Sequence, residues 1–142
     1  FEECKLSSVE LMAKVLRESD TPVTIIATGP QTNVAALLVA HPELKEKIGH
    51  ISIMGGGFRN GNWTAAAEFN IIEDPESAAI EFQAGVPLTV CGLDVTEKAI
   101  VTPNDREKVR AVGNQVSQVV SDWLDFFFKH HKELGCQMFM QW

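Results

Sequence analysis

The chain lacks most of what would mark it as a secreted miniprotein, a nucleic-acid binder or a membrane protein. Its three cysteines, Cys4, Cys91 and Cys136, form no C-x-x-C pair. They are too few and too scattered for a disulfide framework. An odd count without a bridge pattern suits a reducing compartment, so a cytoplasmic location is expected. No apolar run approaches the roughly 20 residues of a membrane-spanning helix. Basic clusters are scarce as well: the densest is Lys45 and Lys47, interrupted by Glu46, in a chain with 19 acidic and 12 basic residues and a net charge of −7. Such a surface repels phosphate backbones, so no nucleic-acid partner is expected. There is no initiator Met, and Phe1 to Leu6, with two glutamates, do not read as a signal peptide. The expectation is a piece of a longer protein.

What is there suffices for a core. Hydrophobic residues make up 45% of 142 residues and charged ones 22%, which fits one globular domain spanning 1–142. Neither an internal repeat nor a low-complexity linker divides it.

Ser7, Ser8, Val9 and Glu10 form a capping box. Val9, Met12, Ala13 and Leu16 then make one apolar helical stripe, ending near Ser19 because Pro22 disfavours helix just before it. Val23 to Ala27 is a β-branched run without alternation, the pattern of a strand covered on both faces of a parallel sheet. Thr28-Gly29-Pro30 breaks it, and Val34 to Ala40 reads as a buried helix. Further strands, Ile51 to Met54 and Leu88 to Cys91, run into Gly55-Gly56-Gly57 and Gly92-Leu93-Asp94. Asp74 and Pro75 start a helix with Ala78, Ala79 and Phe82 on its inner face and Gly85 at its end. Thr102 and Pro103 repeat the start signal. Val116, Val119, Val120, Trp123, Leu124 and Phe127 mark a long amphipathic helix to about Leu134. Strands alternating with helices predict an α/β fold with an open, mostly parallel sheet and flanking helices.

Ligands of such sheets bind beyond the carboxyl ends of the strands. The glycines at the three strand ends are either plain turn residues or places of close approach to a ligand. The stretch from Gly55 to Glu73 is far longer than an ordinary strand–helix connection. It holds Asn60, Asn62, Glu68 and Asn70, interleaved with Trp63 and Phe69. Amides and one carboxylate can grip a neutral polyol through several donors and acceptors; the bland reading is a polar surface loop. Arg59 is its only cation, a poor basis for a phosphate cradle. Gly55, Gly57 and Gly61 space as G-x-G-x-x-x-G, one residue too long for the dinucleotide fingerprint. The histidines offer no H-x-x-x-H pair: His130 and His131 point to different faces of a helix, His41 ends a helix, and His50 opens a strand.

Three segments together resemble the inosine–uridine nucleoside hydrolase family. They are Ala27-Thr28-Gly29-Pro30-Gln31-Thr32-Asn33 before an Ala/Leu helix; Ile53-Met54-Gly55-Gly56-Gly57 with Gly61-Asn62-Trp63-Thr64-Ala65-Ala66-Ala67-Glu68-Phe69-Asn70 and Asp74-Pro75-Glu76; and Gly92-Leu93-Asp94-Val95-Thr96. The likeness runs from about Leu6 to Leu134, the middle of a protein roughly twice as long, and is nearest to the bacterial pyrimidine-preferring branch. It implies a nucleoside hydrolase-like fold, incomplete here, and hydrolysis of the N-glycosidic bond of ribonucleosides with one calcium ion (Ca²⁺). It also implies that the Thr28 backbone carbonyl is a calcium ligand and that Asn62, Glu68 and Asn70 hydrogen-bond the ribose. Met54 would lie against the sugar or meet it through its backbone, and Glu68 would be the catalytic carboxylate beside the developing ribosyl cation. A homo-oligomer, dimer or tetramer, is implied for the complete enzyme. Two motifs of the family are missing: D-x-D-P-G-x-D-D, which supplies most calcium carboxylates and the base, and a late H-D-P. Residues 135–142 match nothing expected of the family. The expectation is therefore a chain inactive alone, with a truncated non-catalytic binding or interaction module as the alternative. A nucleotide-binding module built on Gly55–Gly57 is a third reading.

Overall fold

The computed structural model describes residues 4–133. The 135–142 segment, with Cys136, Phe139 and Trp142, lies outside the described residues. The chain forms two compact units, Phe1–Asp94 and Val95–Trp142.

In the first unit, helix α1 (Ser8–Glu18) starts at the expected capping box. The Ser7 N–H donates to Glu10 Oε2 at 2.8 Å and the Glu10 N–H donates to Ser7 Oγ at 3.3 Å. Strand β1 (Val23–Ala27), helix α2 (Thr32–Ala40) and a 3-10 helix (Pro42–Lys47) follow, then strand β2 (Ile48–Met54). The strand starts earlier than expected, so His50 lies within it and meets Thr89 Oγ1 at 2.9 Å. Helices α3 (Phe69–Ile72) and α4 (Pro75–Gln83), strand β3 (Leu88–Cys91) and helix α5 (Leu93–Thr96) complete the order. The one-turn α3 interrupts what the sequence shows as continuous loop.

The sheet is parallel throughout, in the order β1-β2-β3. Ala27 pairs with Ile53, and Met54 with Cys91, so the carboxyl ends of the strands lie level. Ala13 and Leu16 of α1 and Val34, Leu37 and Leu38 of α2 pack with Ile48, Ile51 and Ile53 of β2 into the core. Val23, Ile25, Ala27 and Leu88 close it from the neighbouring strands. Burial of this apolar face is what holds the layers together.

Three expectations about faces fail. β1 is not covered on both sides: Thr24 and Ile26 are exposed, Ile26 at 71%. Helices α1 and α2 feed a core on one face only. On α4 the inner face is Ser77, Ala78 and Glu81, while Ala79 is exposed and Phe82 half-exposed. The helix rotates so that Ala84, one turn beyond Glu81, joins the core.

The second unit holds α6 (Pro103–Ala111), started as expected at Thr102, and α7 (Gln115–Glu133). Its buried face is Ser117, Ser121 and Phe128, not the apolar stripe, of which Val116, Val119, Trp123 and Phe127 are exposed. Polar pairing with α6 sets this orientation. Arg106 donates to Asp125, and Arg110 donates to Asp125 Oδ2 at 3.0 Å and to Ser121 Oγ at 3.3 Å.

Candidate functional site

The site candidates gather where β2 ends. α3 is a single turn, so its first amides have no intrahelical acceptors, and Glu68 serves them as N-cap. Glu68 Oε1 accepts the Asn70 N–H at 3.0 Å, and Oε2 accepts the Ile71 N–H at 3.2 Å. The same Oε2 accepts the Gly56 N–H at 2.9 Å, from the turn after β2. Three backbone donors thus orient one buried carboxylate. Gly56 sits at φ +70, where residues with a Cβ are strained. A Cβ on Gly57 would run into the Asn60 carbonyl oxygen.

Asn70 is buried, and its Nδ2 donates to the Met54 carbonyl at 3.0 Å and reaches Met54 Sδ at 3.1 Å. Met54, Glu68 and Asn70 are therefore brought together by hydrogen bonds. Asn62 joins through the backbone: its Oδ1 accepts the Phe69 N–H at 2.8 Å. With that oxygen engaged, its NH₂ group is what Asn62 has to offer a ligand. The loop around it is tightly made, the Ala67 carbonyl accepting the N–H groups of Asn62, Trp63 and Thr64 at 3.1, 3.0 and 3.2 Å. The Trp63 and Phe69 rings meet edge-on at 5.3 Å. A cavity of about 340 Å³ lies beside Glu68, lined also by Gly56, Gly57, Ala67 and Ile71.

Thr28 follows Ala27, whose register partner Ile53 precedes Met54; it is exposed at the end of β1. The register sets it level with Met54, and the partners of Glu68 named above do not include it. A hard cation takes six to eight oxygens, and the described residues contain no group of three His, Cys, Asp or Glu side chains able to hold a metal. The Thr28 carbonyl alone does not make a calcium site, so these residues do not fit the ion by themselves.

Sequence reasoning missed two supports. Gln31 is fully buried, its Nε2 donating to the Gly29 carbonyl at 2.8 Å, with its Oε1 buried and unbonded. The Thr32 hydroxyl donates to Asp74 Oδ2 at 2.5 Å, tying the start of α2 to the start of α4. That bond, followed by those from Ser77, holds the Asp74 carboxyl below the usual carboxylate range. The Gly-Pro before Gln31 and the N-cap position of Asp74 were the available signals, but neither names its partner.

A parallel three-stranded sheet with flanking helices and polar side chains gathered beyond its carboxyl ends defines an α/β domain of the open-sheet class. Its particular class follows from comparison. The family described as "Inosine-uridine preferring nucleoside hydrolase" matches residues 2–140, and the chain belongs to that family. It is 60% identical over 127 residues to the pyrimidine-specific ribonucleoside hydrolase RihA of Escherichia coli O1:K1, covering 89% of this chain and 41% of that protein. RihA of Salmonella newport is 59% identical over 133 residues, covering 94% and 43%. Among solved structures, the purine-preferring ribonucleoside hydrolase from Gardnerella vaginalis superposes with a TM-score of 0.84 at 32% identity, covering 94% of this chain and 43% of that one. The plant nucleoside hydrolase PpNRh1 gives 0.82 at 31%, covering 94% and 42%. The chain thus spans about two-fifths of the length of the curated relatives it matches.

Proposed function

We propose that this chain is the ribose-recognition part of a ribonucleoside hydrolase that cleaves the N-glycosidic bond of pyrimidine nucleosides to ribose and free base. The observation that carries the reading is the network joining Glu68, Asn70 and Met54 at the end of the central strand. It presets a carboxylate and an amide in the solid part of the fold, as recognition of vicinal hydroxyls requires. Asn62 adds NH₂ donors from the loop. A carboxylate fixed there stabilises positive charge developing on the sugar as the base departs. The pyrimidine preference rests on the RihA relatives.

The reading assigns no calcium-dependent step to this chain, whose described residues supply too few oxygens. Calcium binding in the whole protein, with the Thr28 carbonyl among its ligands, is proposed from the family resemblance alone. So is a homo-oligomeric whole protein, while a cytoplasmic location is proposed from the odd cysteine count without a bridge pattern. A nucleic-acid partner is disfavoured by the net charge of −7. No described helix is long and apolar enough to cross a membrane. The chain alone is expected not to turn over substrate.

The test is titration of the labelled chain with ribose, uridine and uracil, observing the Asn62 and Asn70 side-chain amides by NMR, with a parallel uridine hydrolysis assay and calorimetry with Ca²⁺. Ribose and uridine should move those amides and uracil should not; no hydrolysis and no calcium heat are expected. Unmoved amides would sink the recognition reading, leaving the non-catalytic interaction module. Hydrolysis by the chain would overturn its proposed inactivity. Displacement of uridine by ATP at far lower concentration would favour the nucleotide-binding alternative.

A further inference from the structure

We infer that Asp94, which lies outside the proposed ribose contacts, is a positioning residue for the Glu68 carboxylate. Its functional meaning rests on the ribose reading above; its structural effect does not. The Gly56 N–H that holds Glu68 belongs to a run of three glycines, Gly55 to Gly57, with no side chains to fix their peptide planes, Gly56 being in the left-handed region. Something else must aim that N–H. The turn after β3 does so from the neighbouring strand end. The Leu93 N–H donates to the Gly56 carbonyl at 2.9 Å, and Asp94 Oδ2 accepts the Phe58 N–H at 2.6 Å. The Gly55 N–H donates to the Cys91 carbonyl at 3.3 Å, just before them. The glycine run is thereby pinned at Gly55, at Gly56 and just beyond its end at Phe58. The Asp94 bond is the short, ionic one, the stronger kind. Arg59, 84% exposed and 3.9 Å from Asp94, adds little to it.

The experiment uses this full chain and two variants, Asp94→Ala and Asp94→Asn, with amide hydrogen exchange read by NMR. Asp94→Ala is expected to speed exchange of the Phe58, Gly56, Asn70 and Ile71 amides about tenfold or more, while Ala35 and His41 keep wild-type rates. Asp94→Asn, whose side-chain carbonyl can still accept from Phe58, should restore most of the protection. Where Asp94→Ala does not fold, Asp94→Ser carries the comparison with the same expected pattern. Acceleration confined to Phe58 would reduce the bond to a local turn contact and overturn the proposal. Uniform acceleration reaching Ala35, or an Asn variant as fast as the Ala one, would overturn it too. In the ribose titration, Asp94→Ala should weaken binding about tenfold and Asp94→Asn much less. A wild-type chain that binds no ribose sinks the recognition reading, while the exchange pattern still decides the role of Asp94.

Discussion

Glu81 is the residue whose burial and chemistry conflict most. It is 1% exposed on the inner face of α4, and neither carboxylate oxygen has a hydrogen-bond partner. Burial pushes its carboxyl up to about 7 from an ordinary 4.5. A group raised on folding stabilises most when protonated in both states, below 4.5, and that contribution is lost as pH rises through about 7. The chain should therefore melt at lower temperature at pH 8 than at pH 5.5. Glu81→Gln should remove most of that difference and raise the midpoint at pH 8 by several degrees, checked by thermal melts at both values. A Gln variant with an unchanged pH dependence would show that the carboxylate reaches water. At this scale the sequence was a partial guide. Asn62, Glu68 and Asn70 stand out by side-chain type in an overlong loop. The amides of Gly56 and Phe58 do not, because a backbone donor leaves no mark in the residue alphabet.

Elements were legible where their ends carry chemistry. The capping box at Ser7–Glu10 and the Thr102-Pro103 start signal both announce a helix, and both helices start there, the second through a Thr102–Asp105 box that the structure adds. Thr102→Ala should cost about 1 kcal/mol in urea unfolding, a loss that Thr102→Ser largely avoids. The faces of α4 and α7 were not legible. Periodicity counts apolar residues, whereas α7 is turned by the bonds that Ser121 and Asp125 accept from Arg110 of α6, leaving Trp123 and Val116 to solvent. α3 was hidden because one turn is too short for a period; only its cap, Glu68, could have announced it.

For the whole molecule, alternation of strand and helix was enough to specify a parallel α/β sheet, and the three strand-end motifs specified the family. Coverage of the second sheet face was overread, since a β-branched run speaks of burial without saying what buries it. With Ile26 open on β1, the outer edge of that strand unpaired among the described residues, and Phe126 75% exposed, the isolated chain carries sticky surface. It should elute from a size-exclusion column as an oligomer at micromolar concentration. A sharp monomer peak would contradict that. Ile26→Lys, which places a charge on the open face, should shift material toward monomer.

The strand order β1-β2-β3 repeats the order of the chain. Among the described strands none waits for a partner that is made after its own successor: β2 docks on a finished β1, and β3 on a finished β2. A polypeptide leaving the ribosome can therefore add these three strands one at a time, in the order they are made. Met54 and the turn behind it leave the ribosome before Asp94, whose carboxylate fixes that turn only once β3 has docked.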